Sequence, residues 1–222
     1  MSVPHTGGRP ERDAMNGFSI RRGTVADDAA AAYVCLKTGD HGADGEALYR
    51  DDPAALGRIY VGPYLAFEPD LSLILEDESG VCGYTLGAFD SRSFYERYER
   101  EWRPRLVARF PLPGGDPANW TRTQSVHALY HRPCYDCPEP YHLYPSHLHI
   151  DLLERARGQG HGRRMMEAVM DKLAARGSPG GHVGVSARNT RALGFYARLG
   201  FHELLRTGSA TDGTVSMGKL FR

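Results

Sequence analysis

The stretch Arg157-Gly158-Gln159-Gly160-His161-Gly162 decides how this chain is read. It follows an apolar run, Leu148-His149-Ile150-Asp151-Leu152-Leu153, that reads as a strand. It opens a helical pattern that runs to Ala175, in which Met165, Val169 and Leu173 recur four apart with Met166 and Met170 beside them. A glycine-rich turn between strand and helix leaves backbone N–H groups free at a helix start, where the dipole favours an anion. The spacing Arg-x-x-Gly-x-Gly is neither the dinucleotide fingerprint nor the Walker loop.

Downstream, Gly177 to Gly181 ends the helix and His182-Val183-Gly184-Val185 reads as a short strand. Asn189 is an N-cap for a helix through Leu199, and Gly200 sits where a left-handed residue closes it. Residues 201–206 and 214–220 flank a turn at Asp212-Gly213, a terminal hairpin. Upstream, Phe18 to Arg21 alternates like a strand, and Thr24 with Asp27 predicts a capping box ahead of a helix carrying Ala29, Ala30, Tyr33 and Leu36. Gly39 to Gly45 breaks that helix. A second helix is expected over 46–59, interrupted near Pro53. Leu71 to Leu75 and Val81 to Leu86 flank turn residues and predict a hairpin. Ser91 to Phe110 reads as helical, and 112–146, dense in His, Tyr and Pro, as a mostly irregular insertion that covers a site. The order of strands and helices argues for an α/β layer fold.

Lys and Arg total 27, as do Asp and Glu, so the net charge is zero. Without a basic excess, neither nucleic acid nor an anionic membrane surface is expected as a partner. No run approaches the roughly 18 apolar residues of a membrane span. Residues 1–17 lack the apolar core of a signal peptide and are expected to be disordered, with 18–222 forming a single domain. Scattered cysteines, at Cys35, Cys82, Cys134 and Cys137, fit a reducing cytoplasm.

The glycine-rich loop, taken with Asn189-x-x-Ala192-x-x-x-Tyr196-x-x-x-Gly200-Phe201, resembles the two signatures of the GNAT superfamily of N-acetyltransferases. The likeness in element order spans Phe18 to Leu220. A narrower one links Leu73 to Tyr84, Trp102-x-Pro104, Tyr144-Pro145-Ser146 and Leu193 to Gly200 to the C-terminal acetyltransferase-like domain of animal O-GlcNAcase. The expected protein is a free-standing, bacterial-type relative. The animal domain has a poor pyrophosphate loop; this chain keeps the whole loop, a departure that implies coenzyme binding.

The resemblance implies a mixed, mostly antiparallel twisted sheet of about seven strands flanked by helices and splayed around a coenzyme arm. It implies acetyl-CoA as cosubstrate, an amine as acceptor and no metal. Leu152 and Leu153 would be backbone partners of the pantetheine. The amides of Arg157, Gly158, Gln159, Gly160, His161, Gly162 and Arg163 would cradle the pyrophosphate. Asn189 would contact the pantetheine arm, and Tyr196 would protonate the departing thiolate.

In an extended strand His147, His149 and Asp151 share one face. The resemblance puts Asp151 first as the base, with His149 in reserve because its ordinary pKa suits proton transfer near neutrality. A bulge that the family has in this strand would change which side these residues face. The plain alternative for all three is a solvated strand face. For the chain as a whole, the alternative to an enzyme is a coenzyme-binding or protein-interaction module. The spacing His127-x3-His131-x2-Cys134-x2-Cys137 also invites a zinc reading, ranked below a His- and Tyr-rich loop folded over the acceptor. The acceptor itself is open among a protein lysine, an amino sugar and a small amine, and a homodimer through the terminal strands is compatible with the fold.

Overall fold

The computed structural model describes residues 17–209 and 213–221. The lead-in expected over 1–17 lies outside the described residues except for Gly17, and so does Asp212 of the expected terminal turn.

Strand β1 (Ser19–Arg22) leads to helix α1 (Asp28–Lys37) through a tight turn in which Asp27 Oδ2 accepts the Thr24 N–H at 2.9 Å. The Arg21 guanidinium grips the same carboxylate at 2.6 and 2.9 Å and fixes the strand to the helix start. β2 (Ser72–Asp77) and β3 (Gly80–Ala88) form the expected antiparallel hairpin.

Between α1 and β2 the expected helix over 46–59 is replaced by turns, then short helices α2 (Gly57–Tyr60) and α3 (Gly62–Phe67). Pro53 denies the first stretch a continuous ladder. Gly57 lets α2 lie directly on α1, since a Cβ there would stand 2.4 Å from that of Ala32. Pro63, in the first turn of α3, needs no helical partner for its missing N–H.

The helix expected over 91–110 comes in pieces: α4 (Ser91–Arg97), a π-helical turn at Tyr98–Trp102, and α5 (Arg103–Arg109). Pro104 sits in the first turn of α5, and the wider π turn accommodates the break. The insertion is also more ordered than expected. α6 (Arg122–His131) begins at a reciprocal cap in which Gln124 N donates to Thr121 Oγ1 (3.1 Å) and Thr121 N donates to Gln124 Oε1 (2.8 Å).

β4 (Ser146–Leu152), α7 (His161–Ala175), β5 (Gly180–Ser186), α8 (Thr190–Arg198), β6 (His202–Thr207) and β7 (Thr214–Leu220) complete the fold. The 7-stranded sheet runs β1-β2-β3-β4-β5-β7-β6. Every pairing is antiparallel except β4 with β5, which touch only at Ser146↔Gly181 and His147↔His182. Past His147 the two strands part, because β4 stays with β3 through Leu152 while β5 stays with β7 through Ser186. The family bulge does not disturb β4 against β3, where the register is unbroken from His147 to Leu152.

The sheet separates two apolar layers. Leu73, Leu75 and Leu148 pack with Met165, Val169 and Leu173 of α7 on one side. Ile74, Tyr84 and Leu86 pack with Val34, Tyr64 and Phe94 on the other. The polar face of β4 is therefore covered by α3 and α4, and His147 is buried rather than solvated.

Candidate functional site

At the split between β4 and β5, two interior strands of the sheet lose their neighbours. Leu153 N donates to Cys82 O at 2.8 Å, and Leu152 lies opposite Gly83. Antiparallel pairs alternate, so the Leu152 N–H and C=O face away from β3 into the split. Arg157 Nε holds that carbonyl at 2.8 Å, and the N–H has no strand beside it.

The glycine-rich loop closes this end. Gly158 (φ +76°) and Gly160 (φ +84°) are left-handed, a conformation that favours glycine. Every N–H from Gly158 to Arg163 lacks a carbonyl partner, as the start of α7 requires. The Arg157 amide is different: it donates to Glu154 O at 3.0 Å, and the side chain does the work at this position. Its guanidinium and that of Arg191 both reach Gly42 O, at 3.1 and 3.0 Å. Burial, then the charge of Arg191, lowers the Arg157 pKa, so an anion at this point relieves both groups.

A cavity of about 520 Å³ occupies this end of the split. Asp151, Leu152, Arg157, Gly158 and Gly160 line it from β4 and the loop, and Gly162 and Arg163 from α7. Asn189 and Tyr196 face them from α8. Leu153, Gln159 and His161 do not line it. Both backbone groups of Leu153 are engaged, with Cys82 and Ala156. Gln159 Nε2 reaches Arg155 O, and the His161 ring lies 4.5 Å from that of Phe18. Thr38, Gly42, Arg191 and Arg198 also line it, beside apolar Ile150, Ala156, Ala192 and Phe195. Only the glycine-rich break at 39–45 hinted at the first two, and charge alone gave no signal for the arginines.

Asn189 caps α8 by accepting from Ala192 N at 3.0 Å, which leaves its amide NH₂ at the cavity. Asn189→Asp keeps the cap acceptor and removes that donor. We expect thermal stability within about 0.5 kcal/mol of wild type, against a loss of about 1 kcal/mol for Asn189→Ala. Thermal unfolding of the two variants checks this.

Tyr84 OH donates to Asp151 Oδ2 at 2.5 Å. Burial pushes the Asp151 carboxyl up to about 6, although the Tyr84 bond opposes the shift. Tyr196 is buried, and desolvation followed by the Asp151 charge raises its phenol well above the ordinary value.

His149 lies in a second cavity of about 690 Å³ that abuts the first along β4, residues 147–149 lining one and 150–152 the other. A hydrogen-bond chain fixes its tautomer. Ser91 Oγ donates to Pro145 O (2.7 Å) and so accepts from His147 Nδ1 (2.7 Å). His147 Nε2 then accepts from Tyr64 OH (2.8 Å), whose oxygen accepts from His149 Nε2 (2.8 Å). Burial holds His147 well below its ordinary pKa and pushes His149 down to about 4, so both rings are neutral. His149 Nδ1 is left as a bare acceptor.

The zinc spacing is taken up otherwise. His127 Nε2 meets Asp52 Oδ2 and His131 Nε2 meets Phe110 O, each at 2.8 Å. Among the described residues no group of three or more His, Cys, Asp or Glu is placed to hold a metal, and no helix is long and apolar enough to cross a membrane.

Known proteins share this arrangement. The Acetyltransferase (GNAT) family model matches residues 132–201. Protein O-GlcNAcase of Rattus norvegicus is 27% identical over 204 residues, which are 91% of this chain and 22% of that one. The chain thus spans about a fifth of the length of the curated relatives it matches. The crystal structure of SsHAT superposes with a TM-score of 0.82 and 33% identity, covering 93% of this chain and 99% of that chain. The acetyltransferase yncA from Salmonella typhimurium, solved with its cofactor acetyl-CoA, shares the fold at a TM-score of 0.52 and 14% identity, covering 93% and 95%. With its mostly antiparallel, split sheet flanked by helices, this chain belongs to the acetyltransferase (GNAT) family.

Proposed function

We propose that this protein is an acetyl-CoA-dependent N-acetyltransferase in which the acceptor amine attacks the thioester directly in a ternary complex. Family membership supports acyl transfer broadly. The observation that carries the finer reading is the free run of amides from Gly158 to Arg163, set beside Arg157 and Arg191 at the mouth of a cavity that ends at Asp151 and Tyr196. Those amides and guanidiniums suit a pyrophosphate. Within the split, the Leu152 N–H is the free backbone donor, and the Leu153 backbone is already engaged, so the pantetheine and oxyanion roles fall to Leu152. The Asn189 amide faces the same arm.

In the reaction the amine nitrogen bonds to the acetyl carbon and the carbon–sulfur bond breaks. The amine's proton passes to Asp151, whose raised pKa brings it nearer the working pH than an ordinary carboxylate. Tyr196 gives its proton to the departing thiolate, and its raised pKa keeps the phenol in the acid form. His149, neutral and held by Tyr64, offers Nδ1 to the incoming amine as a hydrogen-bond acceptor. The domain extent, 18–222 with the insertion over 112–146, is proposed on the same footing.

Thiol release from acetyl-CoA in the presence of amines tests this reading. Tyr196→Phe is expected to lower kcat roughly 10- to 100-fold with acetyl-CoA affinity unchanged, since one proton transfer and no binding contact is removed. Tight coenzyme binding with no thiol release from any amine would leave the coenzyme-binding module instead.

A further inference from the structure

The second cavity abuts the first along β4, and the two have different walls. The first cavity is lined by Arg157, Arg163, Arg191 and Arg198. Among the described residues, the second has no Arg or Lys in its lining, and its one carboxylate is Asp136. Asp136 Oδ2 accepts from Ser216 Oγ at 2.9 Å and would stand 3.2 Å from a Cβ at Gly184. Gly184 lies two residues beyond His182 on β5, and His149 two beyond His147 on β4, so Asp136 faces His149 across the diverging strands. The contacts of the His182 ring are two carbonyl oxygens, Tyr144 O (2.8 Å) and Asp136 O (3.0 Å), which only accept, so its N–H is already used. Much of the rest of the wall is aromatic, with Tyr60, Tyr64, Phe94, Tyr95, Tyr98 and Tyr135, and the β5–β7 side adds hydroxyl residues such as Thr214 and Ser216.

Resting on the acetyl-transfer reading, we propose that this cavity binds the acceptor, and that the acceptor is a small primary amine on a flat, weakly polar ring body with no anionic group. An amino acid or a phosphorylated amine would bury its anion against Asp136 with no cation to meet it. Aromatic walls and one carboxylate suit a ring-bearing ammonium instead.

The test compares matched amines on the wild-type protein with acetyl-CoA: tryptamine against tryptophan, phenethylamine against phenylalanine, and both pairs against glucosamine and a lysine peptide. Thiol release gives kcat/KM, and calorimetry on protein saturated with coenzyme A gives amine binding without turnover. We expect tryptamine to exceed tryptophan at least 100-fold in kcat/KM. Asp136→Asn should narrow that ratio at least tenfold with acetyl-CoA affinity unchanged. Equal or better turnover of tryptophan, glucosamine or the peptide overturns the proposal, as does the absence of tryptamine binding. Tryptamine binding without thiol release sinks the transfer reading while keeping the ligand site.

Discussion

Gly160→Glu is expected to weaken acetyl-CoA binding at least 100-fold, about 2.7 kcal/mol. Two separable effects meet at this position. Gly160 has φ +84°, where an L side chain costs roughly 1–2 kcal/mol. That cost falls on free and bound protein alike, so it lowers stability and leaves affinity nearly untouched. The added carboxylate acts on affinity. It stands among the free amides of Gly158 to Arg163, and a unit charge 4 Å from a phosphate charge is opposed by about 4 kcal/mol at an effective dielectric of 20. No atom stands within 4 Å of a Cβ built at Gly160, so the fold has room for the new side chain. Gly160→Ala carries the same backbone cost without the charge and should weaken binding less than tenfold. Isothermal titration of the three proteins measures this directly. As a second readout, acetyl-CoA at about 100 times its Kd should add about 2.7 kcal/mol to the wild type, a rise in Tm of roughly 5–10 °C for a chain of this size. A Gly160→Glu protein that binds like wild type would remove the loop from the coenzyme site.

What the sequence disclosed about this end of the molecule was local. A loop needing left-handed glycines, a helix needing an Asn cap and an apolar stripe of methionines are written within a few residues of one another, and each forms where expected. The second cavity was not legible in the same way. His147, His149 and Asp151 were readable as one face of β4, but alternation alone does not say what covers a face. The cover comes from Tyr64 and Phe94, far away in the chain, on helices whose boundaries were the poorest part of the reading. α3 is short and begins at Pro63, so it has too few turns to show a period. α6 was missed although Thr121 and Gln124 carried a capping signal, because the His-, Tyr- and Pro-rich surroundings suggested loop throughout. Phe94 and Tyr98 are buried and Tyr95 half-buried, and all three also wall a cavity, a role that depends on the parting of β4 from β5 and on nothing within their own helix.

Asp151→Asn should lower kcat 10²- to 10⁴-fold, the range for loss of a positioned base, while acetyl-CoA affinity stays near wild type and the folded protein becomes more stable. The last outcome separates a base from a structural carboxylate. Burial raises Asp151 from the ordinary carboxylate value to about 6. A raised carboxyl pKa means that the folded state holds the proton more tightly than the unfolded chain. Well below pH 4 both states are protonated and the group is neutral toward stability. As pH rises towards 6 the unfolded chain ionises first, and stability falls; above 6 the penalty is constant, roughly 3 kcal/mol for a shift of about two units. Asparagine has no charge to desolvate and can still accept from Tyr84 OH, so Asp151→Asn should gain stability at pH 7.5 and show no difference at pH 3.5. Catalysis runs the opposite way, because the base must be ionised to take a proton. In the wild type kcat/KM should fall about tenfold per pH unit below 6, and that limb should be missing from the residual activity of the variant. The neighbouring imidazole cannot supply this limb, since His149 is pushed down to about 4 and stays neutral through it. Denaturant unfolding at the two pH values, with a pH–rate profile from 5 to 8, decides the matter. A variant that loses both activity and stability at pH 7.5 would make Asp151 a structural partner of Tyr84 and shift the search for the base to His149 Nδ1.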